Sequence, residues 1–230
     1  MNRIVVAIDG PGGAGKSTVS RTLARQLGYQ YVDTGAMYRV IGVLAAEQGI
    51  DIGDHDALTK LCQRTAIEFT DADGRVQVTA AGRDFTEAIR TADAAQHASR
   101  YSTVPAVRER LVAKQRELGA GGGVVMEGRD IGTVVFPDAP VKVFLDASPR
   151  ERARRRAGEL YGDRASEEQV AAIEREIAER DARDRGRAHS PLRPAPDALV
   201  LDTTDKPIEN VVETLRALVS AKARGLASAS

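Results

Sequence analysis

The residues best suited to chemistry form the glycine-rich run 10–17, Gly-Pro-Gly-Gly-Ala-Gly-Lys-Ser. It matches the spacing G-x-x-x-x-G-K-S, in which backbone N–H groups of the loop point at phosphate oxygens. Lys16 would reach the β and γ phosphates, and the Ser17 hydroxyl would bind Mg²⁺. An apolar run precedes the loop and a helical segment follows it, as a phosphate site requires. The residues predicted to bind the nucleotide are Gly10, Pro11, Gly12, Gly13, Ala14, Gly15, Lys16, Ser17 and Thr18.

A phosphate loop by itself leaves three classes open, namely a kinase, a GTPase switch and an ATP-driven motor. A GTPase would need an Asp-x-x-Gly segment after a strand and an Asn-Lys-x-Asp guanine reader. The chain contains no Asn-Lys-x-Asp, and its candidate for the first segment, residues 71–74, has the composition of a hairpin turn. The GTPase interpretation is therefore weak.

Polar and charged residues follow two other apolar runs. Asp33, Thr34 and Arg39 come after residues 29–32, and Glu127-Gly128-Arg129-Asp130 comes after residues 124–126. Ligands of open α/β sheets bind at the carboxyl ends of the strands, so these side chains are candidates for a second ligand. Arg129 could hold an acceptor phosphate, and Glu127 could orient Mg²⁺ through water.

Arginines crowd residues 150–156 and 180–187, with an acidic stretch between them. One interpretation is a solvated pair of helices with weak i, i+4 ion pairs, such as Glu176 with Arg180. The alternative is a closing lid, in which Arg183 and Arg187 share a helical face and converge on one phosphate. Arg183, Lys16 and Arg129 are the predicted catalytic residues. The acceptor is already an anion, so no histidine is needed as a base, and His55, His97 and His189 are predicted to be surface or packing residues.

These side chains require a frame of short buried strands. Apolar runs at residues 4–8, 29–32, 124–126, 141–145 and 199–201 alternate with helical segments, which predicts a parallel sheet with crossovers. The predicted class is α/β, a three-layer core with a five-stranded parallel sheet that carries the P-loop. Residues 66–70 and 76–79 alternate apolar and polar types, so they predict a β-hairpin in an inserted subdomain.

The resulting division has a core at residues 1–33, 106–149 and 188–220. An acceptor-binding insert spans residues 34–105, a mobile lid with almost no apolar clusters spans 150–187, and a flexible tail spans 221–230.

Composition limits the remaining possibilities. The 230 residues include 33 basic and 33 acidic side chains, so no overall field attracts nucleic acid or an anionic membrane. The single cysteine, Cys62, cannot form an intrachain disulfide and is predicted to be a buried structural residue. No signal peptide or membrane-spanning run is found, so a cytoplasmic protein is expected.

Three segments together resemble the bacterial-type cytidylate kinases: Asp33–Arg39, the run from Glu127 to Ala139, and the run from Glu179 to Arg187. The resemblance covers nearly the whole chain. It implies phosphoryl transfer from ATP to CMP or dCMP with Mg²⁺, and a monomer. Thr34 stands where some members carry serine, and Glu127 where others carry aspartate.

The resemblance also implies individual roles. Arg39 and Arg129 would grip the α-phosphate of the monophosphate, and Arg180 and Asp184 would reach its ribose. The residues implied to contact the monophosphate are Thr34, Arg39, Ser99, Arg108, Arg129, Asp130, Arg180, Asp184 and Arg187, of which Ser99, Arg108, Asp130 and Arg187 would line the cytosine pocket. A kinase for UMP, AMP or a small non-nucleotide acceptor, and a nucleotide-binding module without catalysis, stay open as alternatives.

Overall fold

A computed structural model describes residues 3–72, 75–187 and 190–227. The chain divides into two compact units, one comprising residues 1–31 and 121–230 and the other residues 32–120. The elements are β1 (Val5–Asp9), α1 (Lys16–Leu27), β2 (Gln30–Asp33), α2 (Thr34–Glu47), α3 (His55–Arg64), β3 (Ile67–Ala72), β4 (Arg75–Ala80), β5 (Arg83–Asp84), α4 (Ala92–Tyr101), α5 (Pro105–Gly119), β6 (Val124–Gly128), β7 (Val141–Asp146), α6 (Pro149–Tyr161), α7 (Glu167–Arg185), β8 (Leu199–Asp202) and α8 (Ile208–Ala227).

The first unit is built on a five-stranded parallel sheet with the order β2-β6-β1-β7-β8. Val6, Ala7 and Ile8 of the central strand β1 have no solvent exposure, because both faces of the sheet are covered. On one face α1 and α8 supply Leu23 and Leu215 to a common apolar core. The predicted α/β class and its five strands are confirmed, with strand ends that differ by one or two residues.

The phosphate loop joins β1 to α1. Gly10, its first residue, has a φ of +149°, and a Cβ added there would lie 2.0 Å from the backbone oxygen of Leu145 on β7. Only glycine permits this close approach of the two backbones. Helix α1 ends at Leu27, and the N–H of Gly28, in the left-handed region, donates to the carbonyl oxygens of Ala24 and Arg25.

The second unit contains the predicted hairpin. β3 and β4 pair antiparallel from Ile67 opposite Ala80 to Ala72 opposite Arg75, and β5 adds a short third strand. Residues 73 and 74 of the turn lie outside the described residues. Val107 and Leu111 of α5 enter the core of this unit, so structurally the unit continues to residue 120, beyond the predicted boundary at 105. Its role in acceptor binding stays a prediction.

Helices occupy the predicted lid, but the expectation that it almost lacks apolar clusters is wrong. Ala153 and Ala157 of α6 pack against Val170 and Ile173 of α7, and all four are buried. Small side chains on α6 allow the two helices to approach closely, so a modest number of apolar residues is enough for a core. The sequence gives little sign of this cluster, because its members are few and the segment that contains them is rich in charged residues.

The predicted flexible tail also differs from the structure. Residues 221–227 belong to α8, where Ala223 is buried in the apolar core of the first unit. Residues 228–230 lie outside the described part. Cys62 is a free cysteine in the core of the second unit, as predicted. In the described part of the chain, no helix is both long enough and apolar enough to span a bilayer.

Candidate active site

Lys16 is the first residue of α1 and is only 6% exposed. Its Nζ donates to the backbone oxygen of Pro11 at 2.6 Å, so the side chain lies across the loop. Burial and, to a smaller extent, the positive charges of Arg129 and Arg180 lower the pKa of Lys16 to about 7, against the opposing charges of Glu127 and Asp9. A lysine in this setting is poised to receive an anion, because negative charge nearby would favour its protonated form.

Two arginines lie beside the loop. A Cβ added at Gly12 would be 3.7 Å from Nη2 of Arg129 and 3.9 Å from Nη1 of Arg180. Together with Lys16 they place three cationic groups at one loop, and the N-terminus of α1 adds its partial positive charge. This arrangement can bind a multiply charged phosphate and stabilise charge that moves between its oxygens.

A buried carboxylate orients one of these arginines. Asp184 on α7 is 1% exposed, and its Oδ2 accepts from Nε of Arg129 at 3.2 Å. Its Oδ1 lies 2.6 Å from Nη2 of Arg187. Three of the predicted acceptor residues, Arg129, Asp184 and Arg187, therefore form one ion cluster. Asp130, which follows Arg129 in the chain, is also buried.

The predicted shared helical face of Arg183 and Arg187 is not found. α7 ends at Arg185, so Arg187 lies beyond the helix, where it reaches back to Asp184, while Arg183 is exposed on the last turn. Gly186 is the C-cap of the helix, and its N–H donates to the carbonyl oxygen of Ala182. A catalytic role for Arg183 stays a prediction.

Two carboxylates at strand ends complete the electrostatics of the site. Glu127 on β6 is 3% exposed, and its Oε1 accepts a hydrogen bond from the Tyr31 hydroxyl. Asp9 at the end of β1 accepts from the backbone N–H groups of Ile131 at 2.8 Å and Gly132 at 2.7 Å. Burial raises the pKa of Asp9 to about 7, although these two hydrogen bonds oppose the rise. Sequence reasoning missed Asp9, even though an acid at the end of a buried strand was a usable signal.

Arg152 on α6 is a second residue that sequence reasoning missed. It is 2% exposed, and its Nε donates to the backbone oxygen of Ala147 at 2.9 Å. Its Nη1 donates to the backbone oxygen of Gly12 at 3.2 Å and lies 2.7 Å from Oδ2 of the buried Asp181. Arg152 therefore connects the phosphate loop to both lid helices. One arginine among several in a charged segment gave no signal of this role.

The other predicted acceptor residues belong to the second unit. Nη2 of Arg39 donates to Oδ2 of Asp33 at 2.7 Å, and Asp33 also caps α2 by accepting from the N–H of Ala36. Asp33 thus orients the arginine predicted to hold a phosphate. Three further predicted residues lie on helices of this unit, and their contacts with substrate stay predictions: Thr34 on α2, Ser99 on α4 and Arg108 on α5.

The two histidines that the structure describes, His55 and His97, both belong to the second unit. His55 is exposed at the start of α3, and His97 packs against Gly42, where an added Cβ would lie 2.6 Å from Cβ of His97. His189 lies outside the described residues. The two described histidines match their prediction as surface and packing residues.

The combination of a phosphate loop with an arginine and aspartate cluster can be compared with known families. The profile of the cytidylate kinase family matches residues 6–221. The chain belongs to the cytidylate kinase family. It is therefore a phosphotransferase, and the family implies ATP as the co-substrate. The predicted resemblance is confirmed.

Individual relatives agree over nearly their full length. A cytidylate kinase from Pelotomaculum thermopropionicum is 50% identical over 95% of this chain and 97% of its own. One from Solibacter usitatus is 48% identical over 96% and 94%, and one from Pseudomonas aeruginosa is 46% identical over 92% and 93%. Among solved structures, a gluconokinase from Sinorhizobium meliloti has a TM-score of 0.50 at 17% identity and covers 100% of this chain and 98% of its own. That likeness supports the kinase fold.

Proposed function

We propose that the enzyme transfers the γ-phosphate of ATP to CMP or dCMP and releases ADP with CDP or dCDP. The observation that carries this proposal is the ion cluster of Arg129, Asp184 and Arg187 beside the phosphate loop. It unites residues assigned to the acceptor from the family resemblance with the loop that holds the donor. Full-length identity of 46–50% with cytidylate kinases supports the same acceptor.

The donor is held by the loop. Backbone N–H groups at the start of α1 and the ammonium group of Lys16 bind the β and γ phosphates. Arg129 and Arg180, both within reach of Gly12, stabilise the charge on the transferring group. The acceptor oxygen belongs to a phosphate anion, so the protein needs to align it and exclude water rather than remove a proton.

The acceptor base is recognised by charge and hydrogen bonding. The carboxylate of Asp130 suits the exocyclic amino group of cytosine, and arginines suit its O2 and N3 acceptors. Asp184 contributes by holding Arg129 and Arg187, in addition to its predicted role at the ribose. Thr34, Arg39, Ser99 and Arg108 of the second unit stay predicted contacts of the nucleotide.

Mg²⁺ fits the residues present. The described residues contain no group of three His, Cys, Asp or Glu side chains arranged for a metal, and Mg²⁺ bound with a nucleotide needs only one or two protein ligands. Ser17 is exposed at the start of α1, and Glu127 lies close enough to influence the pKa of Lys16. Ser17 would hold the ion, and Glu127 would hold one of its waters. The ion would neutralise charge on the β and γ phosphates. A cytoplasmic location and a monomeric state remain predictions.

One assay tests the proposal against its alternatives. ADP production is measured with ATP, Mg²⁺ and each of CMP, dCMP, UMP, AMP and shikimate. The highest rates are expected with CMP and dCMP. A higher rate with UMP, AMP or shikimate would indicate a different kinase, and no rate with any acceptor would indicate a nucleotide-binding module.

Replacing Asp130 with alanine is expected to lower the preference for CMP over UMP about 10-fold or more, because the site loses its partner for the amino group of cytosine. The measurement is the ratio of kcat/KM values for CMP and UMP. The KM for ATP is expected to change less. Asp138→Ala removes an exposed carboxylate from the same segment and serves as the control. An unchanged ratio in Asp130→Ala would reject the role of Asp130.

ATP binding is expected to take up a proton above neutral pH. Lys16 has a pKa of about 7 and is mostly neutral at about pH 8, and the negative charge of a bound triphosphate raises that pKa. The complex then binds more protons than the free enzyme, so the affinity for ATP falls as the pH rises above about 7. Calorimetry at about pH 8 in two buffers of different ionisation enthalpy measures the uptake. Lys16→Met is expected to abolish it, and equal enthalpies for the unaltered enzyme would contradict the assignment.

A further inference from the structure

Asp9 is a buried acid directly before the phosphate loop. It is the last residue of β1 and is 4% exposed. Each of its carboxylate oxygens accepts one backbone N–H, Oδ1 from Ile131 at 2.8 Å and Oδ2 from Gly132 at 2.7 Å. Both hydrogen bonds cross from β1 to the chain that leaves the neighbouring strand β6. The carboxylate therefore fastens the start of that segment.

The fastened segment carries two of the acceptor residues. Residues 131–135 form a single π-helical turn whose N-cap is Asp130, and Arg129 precedes it. The carbonyl oxygen of Asp130 accepts from the N–H groups of Val134 and Val135, so the turn continues directly from Asp130. On β1, Asp9 is in register with Gly128 of the neighbouring strand β6. Asp9 thus lies beside the point where the chain leaves the sheet with Arg129 and Asp130.

Holding an ionised acid at this position is unfavourable. Burial and the neighbouring Asp130 both raise the pKa of Asp9, and the hydrogen bonds from residues 131 and 132 act in the opposite direction. An apolar residue would avoid this cost but would leave two buried N–H groups without acceptors. A carboxylate is the side chain that offers both N–H groups an acceptor at once.

We propose that Asp9 is a positioning residue for the phosphate acceptor: by accepting from Ile131 and Gly132, its carboxylate aligns Arg129 and Asp130. This inference rests on the proposed function, because it concerns the acceptor assigned there. Asp9 connects the strand that ends at the phosphate loop with the turn that reads the acceptor.

A role on the donor side is the alternative, since Asp9 also lies near Lys16. The charge of Asp9 has a smaller effect on the pKa of Lys16 than the charges of Arg129, Glu127 and Arg180 have. On the pKa of Asp9, each of the two backbone hydrogen bonds has a larger effect than the charge of Lys16 has. The main partner of Asp9 is therefore the turn, and its loss should affect the acceptor more than ATP.

Asp9→Asn tests this assignment because the amide keeps the volume but can accept only one of the two N–H groups. The KM for CMP is expected to rise, and kcat/KM for CMP to fall, by about 10- to 100-fold, since small displacements of binding groups have effects of this size. The KM for ATP is expected to change less than about threefold. Hydrogen exchange at the amides of Ile131 and Gly132 should become faster, which ties the kinetic effect to the turn.

Two further variants complete the test. Asp54→Asn makes the same change at an exposed N-cap of α3, where asparagine caps equally well, and should leave all of these values unchanged. Asp9→Glu keeps both acceptor oxygens but shifts them by one methylene, so it should show the same split between CMP and ATP to a smaller degree. It replaces Asp9→Asn if that variant does not fold.

The outcomes separate this inference from the proposed function. If the unaltered enzyme prefers another acceptor from the assay panel, the proposed function fails, and Asp9→Asn is measured with that acceptor. Calorimetric binding of CMP replaces KM if no transfer is detected, and an absence of binding would overturn the inference. Equal losses for CMP and ATP, a larger loss for ATP, or unchanged kinetics and exchange would also overturn it.

Discussion

Lys16→Ala is expected to lower turnover about 100-fold or more, the effect of removing one preorganised group that stabilises transferring charge. Lys16 is buried across the phosphate loop and surrounded by the charges of Arg129, Arg180 and Glu127. Steady-state ADP production with saturating ATP and CMP measures the effect.

A measurement of stability distinguishes this loss of turnover from misfolding of the variant. Burial disfavours the charged form of Lys16, so the fold is not expected to depend on its charge. Lys16→Met, which keeps much of the side-chain volume, should show the same loss of turnover with little loss in the free energy of unfolding. Lys60→Ala, at an exposed position on α3, is the control for activity. Near-normal turnover in both Lys16 variants would refute the assignment of the loop.

Arg152→Ala is expected to lower the free energy of unfolding by about 3–5 kcal/mol, because it leaves Asp181 as a buried charge without its ion partner. The side chains of Arg152 and Asp181 are 3% and 6% exposed, and their nearest atoms are 2.7 Å apart. The same change removes the donor to the backbone oxygen of Gly12 in the phosphate loop. Denaturant titration measures the first effect, and the KM for ATP should rise as a result of the second.

A double variant separates the two effects of Arg152. Replacing Arg152 with methionine and Asp181 with leucine removes both charges together, so most of the lost stability should return. The KM for ATP should remain raised, because the loop still lacks its donor. Lys114→Ala breaks an exposed ion pair with Glu117 and should cost less than about 1 kcal/mol. A loss in Arg152→Ala no larger than this would show that the buried pair contributes little.

Local patterns were enough for much of the fold. The continuous apolar run of β1 predicted a strand buried on both faces, and Gly28 marked the end of α1 because glycine readily adopts its left-handed conformation. Alternation at residues 66–70 and 76–79 predicted the hairpin, and β3 and β4 pair antiparallel there. Each of these depends on a few consecutive residues. The loop at 10–17 and the family of the chain were recognisable for the same reason.

Long-range pairing was not accessible in this way. Asp9 acts through Ile131, which is more than 120 residues away in the sequence. Arg152 acts through Asp181, which is about 30 residues away. The lid cluster arises because buried residues of α6 and α7, including Ala153 and Ile173, pack into one core, which their highly charged segment did not indicate. The expected shared face of Arg183 and Arg187 failed because α7 ends between them.

The residue types along the chain were thus sufficient to identify the family and to predict a phosphate site, since motif spacing is a local property. Which charges are buried, which arginine meets which carboxylate and which acid holds the turn beside Asp130 depended on how distant segments pack. Burial removes water from these groups, so each must find a protein partner, and only the folded arrangement determines that partner.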